Sequence, residues 1–339
     1  MDACPSEEEL LEVLDSSGPT RPQEAKKRVF AHVDRCAMCR ELVASFVKDT
    51  RPNAAGHKPA EALETLGPGQ TIGRYVLVRC LGVGGAGVVW EGHDGSHAFA
   101  LKVLRHSASH NVRRHRREAR IAMTLQHPNI VPVHEVFDDR ALGPVLVMPL
   151  LGGETFEKVL GRAGKLSLEH TVAYLLPVLN AIAYAHAQGV VHRDLKPQNV
   201  FVQRDRISIL DFGVAKLLEE SSLAGSAITR TGELLGTPRY MAPEQIFGEQ
   251  RIDARVDVWA VGVIAYRALS GDLPIAARTL GEVIKVHTRG AIVPLEQRAP
   301  ELPRDVTNAV MHALQGEHAK RAPSVDGLGN VLSGYARYR

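Results

Sequence analysis

The chain has 339 residues, of which 45% are apolar and 23% charged. That length suits about two domains at roughly 100–200 residues each, and the composition is too apolar for wholesale disorder. A net charge of +3 gives no electrostatic case for a nucleic-acid or membrane-surface protein, and four cysteines are too few for a disulfide scaffold of this size, so a reducing, cytoplasmic setting is expected.

The first ten residues, MDACPSEEEL, are acidic where a secretory leader would be basic, so no signal peptide is expected. Apolar positions three and four apart over 7–14 and 23–47 predict short helices, separated by Ser17-Gly18-Pro19. Within these helices lies His32-x3-Cys36-x2-Cys39. Positions four apart share a helical face, so His32 and Cys36 converge, and Cys39 follows one turn on. Two thiolates and an imidazole suit tetrahedral Zn²⁺, with Cys4 as the best fourth ligand. A redox Cys-x-x-Cys pair and uncoordinated core side chains remain the competing readings. Residues 1–50 resemble the zinc-finger module of anti-sigma factors, which implies a small helical zinc-binding domain and a regulatory protein partner. Pro52, Gly56, Pro59, Gly67, Pro68 and Gly69 then mark 51–72 as a linker.

From Gly73 the pattern turns to strands. Tyr75–Cys80, Val88–Glu91 and Ala98–Leu104 are short β-branched or aromatic runs. Cys80 on the first of them is expected to be a small buried side chain. After Ser167, a plausible N-cap, helical signals dominate, with Gly189 placed as a stop. Thr171 to Val191 carries no formal charge and is long enough to span a bilayer, but Pro177, Asn180, His186 and Gln188 make a buried core helix the better reading. A strand-rich segment of about 75 residues before a helix-rich one of about 185 predicts an α+β layout in two lobes.

Leu81 to Trp90 (LGVGGAGVVW) puts Gly82, Gly84 and Gly87 in G-x-G-x-x-G spacing, with Val83, Gly85 and Ala86 between them. A dinucleotide loop of this spacing opens a helix, whereas here Val88 and Val89 continue a strand, as in a glycine-rich hairpin over phosphates. Lys102 alternates with apolar residues on the next strand and would be poorly solvated there unless it met an anion. Glu118 on a following helix could neutralise it. His192-Arg-Asp-Leu-Lys-Pro-Gln-Asn199 and Asp211-Phe-Gly213 complete the set. Asp194, Asn199 and Asp211 supply hard oxygen donors of the type Mg²⁺ takes.

With these motifs in order, residues from about 73 to 336 resemble the eukaryotic-like bacterial serine/threonine protein kinases. The resemblance implies a bilobal protein-kinase fold, with a β-rich N-lobe and an α-rich C-lobe, and ATP in the cleft between them. By that likeness Gly82, Gly84 and Gly87 cap the phosphates, Val89 and Ala100 roof the adenine, and Pro149 and Leu151 offer it backbone contacts. Lys102 contacts the α/β-phosphates and pairs with Glu118. Asp194 orients the acceptor hydroxyl, Lys196 neutralises the transferred phosphoryl group, and Asn199 and Asp211 hold Mg²⁺. Lys196 and Thr237, in Gly236-Thr-Pro, match the serine/threonine branch. Two further matches are structural: Glu244 pairing with Arg321, and Asp257 bracing the catalytic-loop backbone.

Arg193 beside Asp194 implies that phosphate on the activation segment, at Thr229 or Thr231, can order it. The six arginines and three histidines of Arg105–Arg120 read as a solvated helix face without interleaved aromatics, so no nucleic-acid partner is expected. Two rival functions remain: a nucleotide-binding pseudokinase scaffold, and a zinc-dependent interaction protein of anti-sigma type.

Overall fold

A computed structural model describes residues 66–84, 87–104, 125–204, 206–212, 237–247, 252–277, 280–289 and 292–336. Cys4, His32, Cys36, Cys39, Gly85, Ala86, Glu118, Thr229 and Thr231 lie outside the described residues.

The strand-rich half forms one antiparallel sheet in the order β1-β2-β3-β4-β6-β5. Its strands are β1 (Thr71–Ile72), β2 (Tyr75–Gly84), β3 (Gly87–His93), β4 (Ala98–Leu104), β5 (Glu135–Asp139) and β6 (Gly143–Pro149). Alternation explains its packing. Leu77, Val88, Trp90, Leu101, Val103, Val145 and Val147 point to one face and close a small core with Ile72 and Tyr75. Ile72 is fully buried and Leu66 packs on the same core, so residues 66–72 belong to this lobe and not to the linker that their composition suggests.

Cys80 is exposed, contrary to expectation. Register shifts between Leu77 and Arg79, and again between Cys80 and Gly82, interrupt the pairing of β2 with β3. Cys80 stands opposite Trp90, but past Leu77 the strand buries no side chain.

The chain leaves β6 into β7 (Glu154–Thr155), then α1 (Phe156–Ala163) and α2 (Leu168–Ala187). Thr155 caps α1 by accepting from the Lys158 amide, and Ser167 caps α2 by accepting from the His170 amide at 3.2 Å. Gly189, at φ +73°, turns the chain away after α2 in the left-handed region where a side chain would be strained. Strands β8 (Val200–Gln203) and β9 (Arg206–Ile209) join β7 in a second antiparallel sheet. This sheet, and helix α1 before Ser167, were not anticipated from the sequence pattern.

The remaining helices are α3 (Pro243–Ile246), α4 (Arg255–Ser270), α5 (Leu280–Arg289), α6 (Leu295–Arg298), α7 (Arg304–Ala313) and α8 (Asp326–Ser333). Helix α4 is the axis of this lobe, and its apolar residues from Val256 to Leu269 are buried around its whole circumference. It stops at Gly271, φ +83°, whose amide donates to the Arg267 carbonyl. Helix α2 packs against it with Leu175, Val178, Leu179, Ile182 and Ala185 buried. Among the described residues no helix is long and apolar enough to cross a membrane, in agreement with a core-helix reading of 171–191.

Candidate active site

Three strands place the glycine-rich hairpin above Lys102. Gly82 faces Val89 across β2 and β3, and Val89 faces Lys102 across β3 and β4. Directly opposed residues share a face, so Gly82, Val89, Lys102 and, two positions along, Ala100 lie on the side opposite the apolar core. The three glycines differ in what they are for. A Cβ on Gly87, at φ +149°, would sit 2.0 Å from the Val103 carbonyl oxygen, so the approach of β4 alone requires glycine there. Among the described residues, a Cβ on Gly82 or Gly84 would meet no protein atom within 4 Å, so their packing does not ask for glycine at those two positions.

Lys102 is buried and its Nζ lies 2.6 Å from Asp211 Oδ2. Burial pushes the Asp211 carboxyl up, and the Lys102 ammonium outweighs it, helped by its hydrogen bond and by His192 and Lys196, so the net shift is downward. Asp211 is positioned from behind. Strand β9 is tied to residues 129–131 by Ile209 N donating to Asn129 O at 2.7 Å and Val131 N donating to Ile209 O at 2.9 Å. Leu210 N then donates to Asn199 O at 2.8 Å, which registers Asp211 against the catalytic loop.

The loop itself runs from His192 to Asn199 and is held by Asp257, whose side chain is buried in α4. Its Oδ2 accepts from His192 N at 2.8 Å and contacts His186 Nε2 at 2.7 Å; its Oδ1 accepts from Arg193 N at 2.8 Å. This bears out the bracing role expected for Asp257. The brace allows strain: Arg193 and Asp211 adopt φ of +66° and +64°, which residues with a Cβ rarely take. Such strain persists only where neighbours over-determine it, as Asp257 and the β9 anchor do here.

On that loop Lys196 Nζ donates to both Asp194 oxygens, at 3.0 and 2.9 Å. Asn199 is buried, and its Nδ2 donates to Asp194 O at 2.8 Å and Asp194 Oδ2 at 3.3 Å. Both bonds use the amide nitrogen, which leaves Oδ1 as the atom suited to a cation. Asp194, Lys196 and Asn199 are thus joined on one loop, to which Leu210 ties Asp211 and its partner Lys102. Pro149 and Leu151, both half-buried, follow the pairing of Met148 with Ala100 at the end of the sheet. Among the described residues no group of three or more His, Cys, Asp or Glu side chains is arranged to hold a metal ion.

Glu244 and Arg321 pair as expected. Both are buried, and the guanidinium meets the carboxylate through two hydrogen bonds of 2.6 and 2.9 Å. Sequence reasoning missed a second charged joint beside the loop: Glu157, Arg267, Tyr240 and Gln198. Its members lie as far as 110 positions apart and form no local motif.

A glycine hairpin over a buried lysine, facing an Asp/Lys/Asn loop and a strained aspartate between two lobes, defines the protein kinase class. The protein kinase domain family matches residues 75–323, and the chain belongs to that family. It is 36% identical over 276 residues to the serine/threonine-protein kinase PknA of Mycobacterium tuberculosis, covering 77% of this chain and 62% of PknA. It is 35% identical over 272 residues to the serine/threonine-protein kinase pkn2 of Myxococcus xanthus, covering 77% of this chain and 32% of pkn2. A probable serine/threonine-protein kinase of Streptomyces coelicolor is 33% identical over 268 residues, covering 76% of this chain and 39% of that relative. The chain therefore spans between about a third and two thirds of the length of these relatives.

Proposed function

We propose that this chain is a serine/threonine protein kinase that transfers the γ-phosphoryl group of ATP to Ser or Thr hydroxyls of proteins. The observation that carries this reading is the convergence of Lys102–Asp211 and Asp194–Lys196 on one cleft, held from behind by Asp257. Gly82 and Gly84, with open space where a Cβ would stand, let the hairpin backbone approach the phosphates, with Val83, Gly85, Ala86 and Gly87 completing its tip. Val89 and Ala100 cover the adenine, and Pro149 and Leu151 offer it backbone contacts. Lys102 binds the α/β-phosphates with Glu118 as its second partner.

Asp194 accepts a hydrogen bond from the acceptor hydroxyl and takes its proton as the new O–P bond forms and the β–γ bridging bond breaks. Lys196 offsets the charge on the phosphoryl group in flight. The Asp211 carboxylate and the Asn199 carbonyl oxygen fit Mg²⁺, which supplies neutralisation of the phosphate oxygens. Lys196 in the Asp-Leu-Lys-Pro sequence favours the serine/threonine branch.

Catalysis belongs to residues 73–336 in this reading, with Leu66–Ile72 packed onto that domain. Residues 1–50 form a separate zinc-binding interaction domain using Cys4, His32, Cys36 and Cys39, joined by a shorter linker, and Thr231 is the favoured autophosphorylation site. Labelling with γ-³²P-ATP and magnesium tests the kinase reading. The wild type is expected to label itself and dephosphorylated casein, while Asp194→Asn and Lys102→Met each lose on the order of 10²–10⁴-fold in rate. Equal labelling by the three proteins would overturn it. For the zinc domain, elemental analysis should give one zinc per chain, falling to none in a Cys36→Ser/Cys39→Ser variant; a wild type without zinc would exclude it.

A further inference from the structure

We infer that Glu157 is a positioning residue for the protein acceptor: its carboxylate joins the catalytic loop that carries Asp194 to the turn of residues 237–240, and through that link sets the path to Asp194. The inference rests on the kinase reading above and concerns its acceptor side.

Glu157 lies in the first turn of α1. Its Oε1 accepts from Arg267 Nη2 at 2.6 Å, and its Oε2 accepts from Arg267 Nη1 at 2.7 Å and from Gln198 Nε2 at 3.0 Å. Arg267 Nη1 also donates to the Tyr240 hydroxyl at 2.6 Å. Four elements meet at this joint: α1, the last turn of α4, the short turn Pro197–Asn199 between Lys196 and β8, and the turn Thr237–Tyr240. A second tie runs parallel to it, Gln245 Nε2 donating to Arg193 O at 2.7 Å. Without the Glu157 carboxylate, Gln198 loses its described partner and Arg267 keeps, among the described residues, the Tyr240 hydroxyl.

The joint is separate from the nucleotide side, because it shares no residue with Lys102, Asp211 or the glycine hairpin. It is also unlike a core ion pair. Glu157 is 31% exposed and Arg267 17%. A part-exposed pair of this kind adds less to folding stability than a fully buried one, and its bidentate geometry also fixes orientation. The hydrogen-bonding pattern can be inverted. Gln198 Oε1 is buried with no hydrogen-bond partner among the described residues, so a half-turn of that amide would let it accept from an arginine at position 157. The Tyr240 hydroxyl, which burial pushes up to about 12, stays protonated and could donate to a glutamate at position 267.

Steady-state kinetics on the full chain, with ATP and dephosphorylated casein varied separately, test the inference alongside thermal unfolding. Glu157→Ala is expected to raise the KM for casein about tenfold, with the KM for ATP and the unfolding midpoint held near wild type; that corresponds to roughly 1.4 kcal/mol in acceptor binding. The double exchange Glu157→Arg/Arg267→Glu is expected to recover most of the loss that either single reversal causes. An unchanged casein KM in Glu157→Ala would overturn the inference, as would a parallel shift of both KM values and the midpoint, or no recovery in the double exchange. A wild type that labels neither casein nor itself would overturn the kinase reading, and this inference with it.

Discussion

Lys102 meets Asp211 at 2.6 Å on the cleft, and Arg321 meets Glu244 at the same distance in the helical lobe, but their surroundings differ. The Arg321 guanidinium is saturated. Besides its two bonds to Glu244, Nε donates to Gln315 O at 2.9 Å and Nη1 to Arg255 O at 3.1 Å, and the group lies 5.0 Å from the Trp259 ring centroid. Its side chain is 0% exposed and that of Glu244 2%. Asp211, by contrast, is 21% exposed and borders the space beneath the glycine hairpin. One pair is fixed in the fold. In the other, Lys102 is buried but the Asp211 carboxylate keeps an open side that a further partner can reach. Similar bond lengths therefore say little about role; what decides it is how many further partners each charge has and whether water can reach it.

The largest effect follows from that contrast. Glu244→Ala strands a buried guanidinium and is expected to cost about 3–5 kcal/mol of stability, read as a drop in the unfolding midpoint. Lys102→Met leaves Asp211 beside Lys196 and open to water, and is expected to cost about 1–2 kcal/mol while removing activity. Denaturant titration of the two variants side by side checks the ranking. If Lys102→Met proved the more destabilising, the distinction between the fixed pair and the open-sided one would be lost.

The two pairs also differ in how far the sequence disclosed them. Lys102, Asp194, Asn199 and Asp211 were legible because each sits in a short motif whose spacing is set by one strand or one loop. Glu244 and Arg321 are 77 positions apart and became visible only through resemblance. Glu157 and Arg267 stayed hidden: each is an ordinary polar residue on a helix, and only tertiary packing brings them together. The small sheet was hidden by length, since β7 has 2 residues and β8 and β9 have 4 each, too few for a two-residue alternation to register. Cys80 was misjudged because a small apolar side chain on a strand was read as buried without regard to what covers the strand, and past Leu77 β2 buries no side chain.

A pH-dependent effect, smaller than that of Glu244→Ala, probes how static the helical lobe is. His287 on α5 packs its ring 5.3 Å from that of Trp259 and 6.5 Å from that of Phe247, and its Nε2 is buried with no hydrogen-bond partner among the described residues. Burial, with the Arg321 cation adding to it and the Glu244 carboxylate opposing both, lowers its pKa to about 4. An unfolded histidine titrates near 6.5, so between about 6.5 and about 4 the unfolded chain binds a proton that the folded chain refuses. Stability from this residue is complete above that window and is lost as pH falls through it, by up to about 3 kcal/mol. His287→Phe keeps a ring in the site and removes the titration. Unfolding midpoints measured from pH 7 to pH 4 should then fall less steeply in His287→Phe than in the wild type. Parallel curves would mean that His287 accepts its proton in place, and that the packing around Glu244–Arg321 is loose enough to admit a second cation.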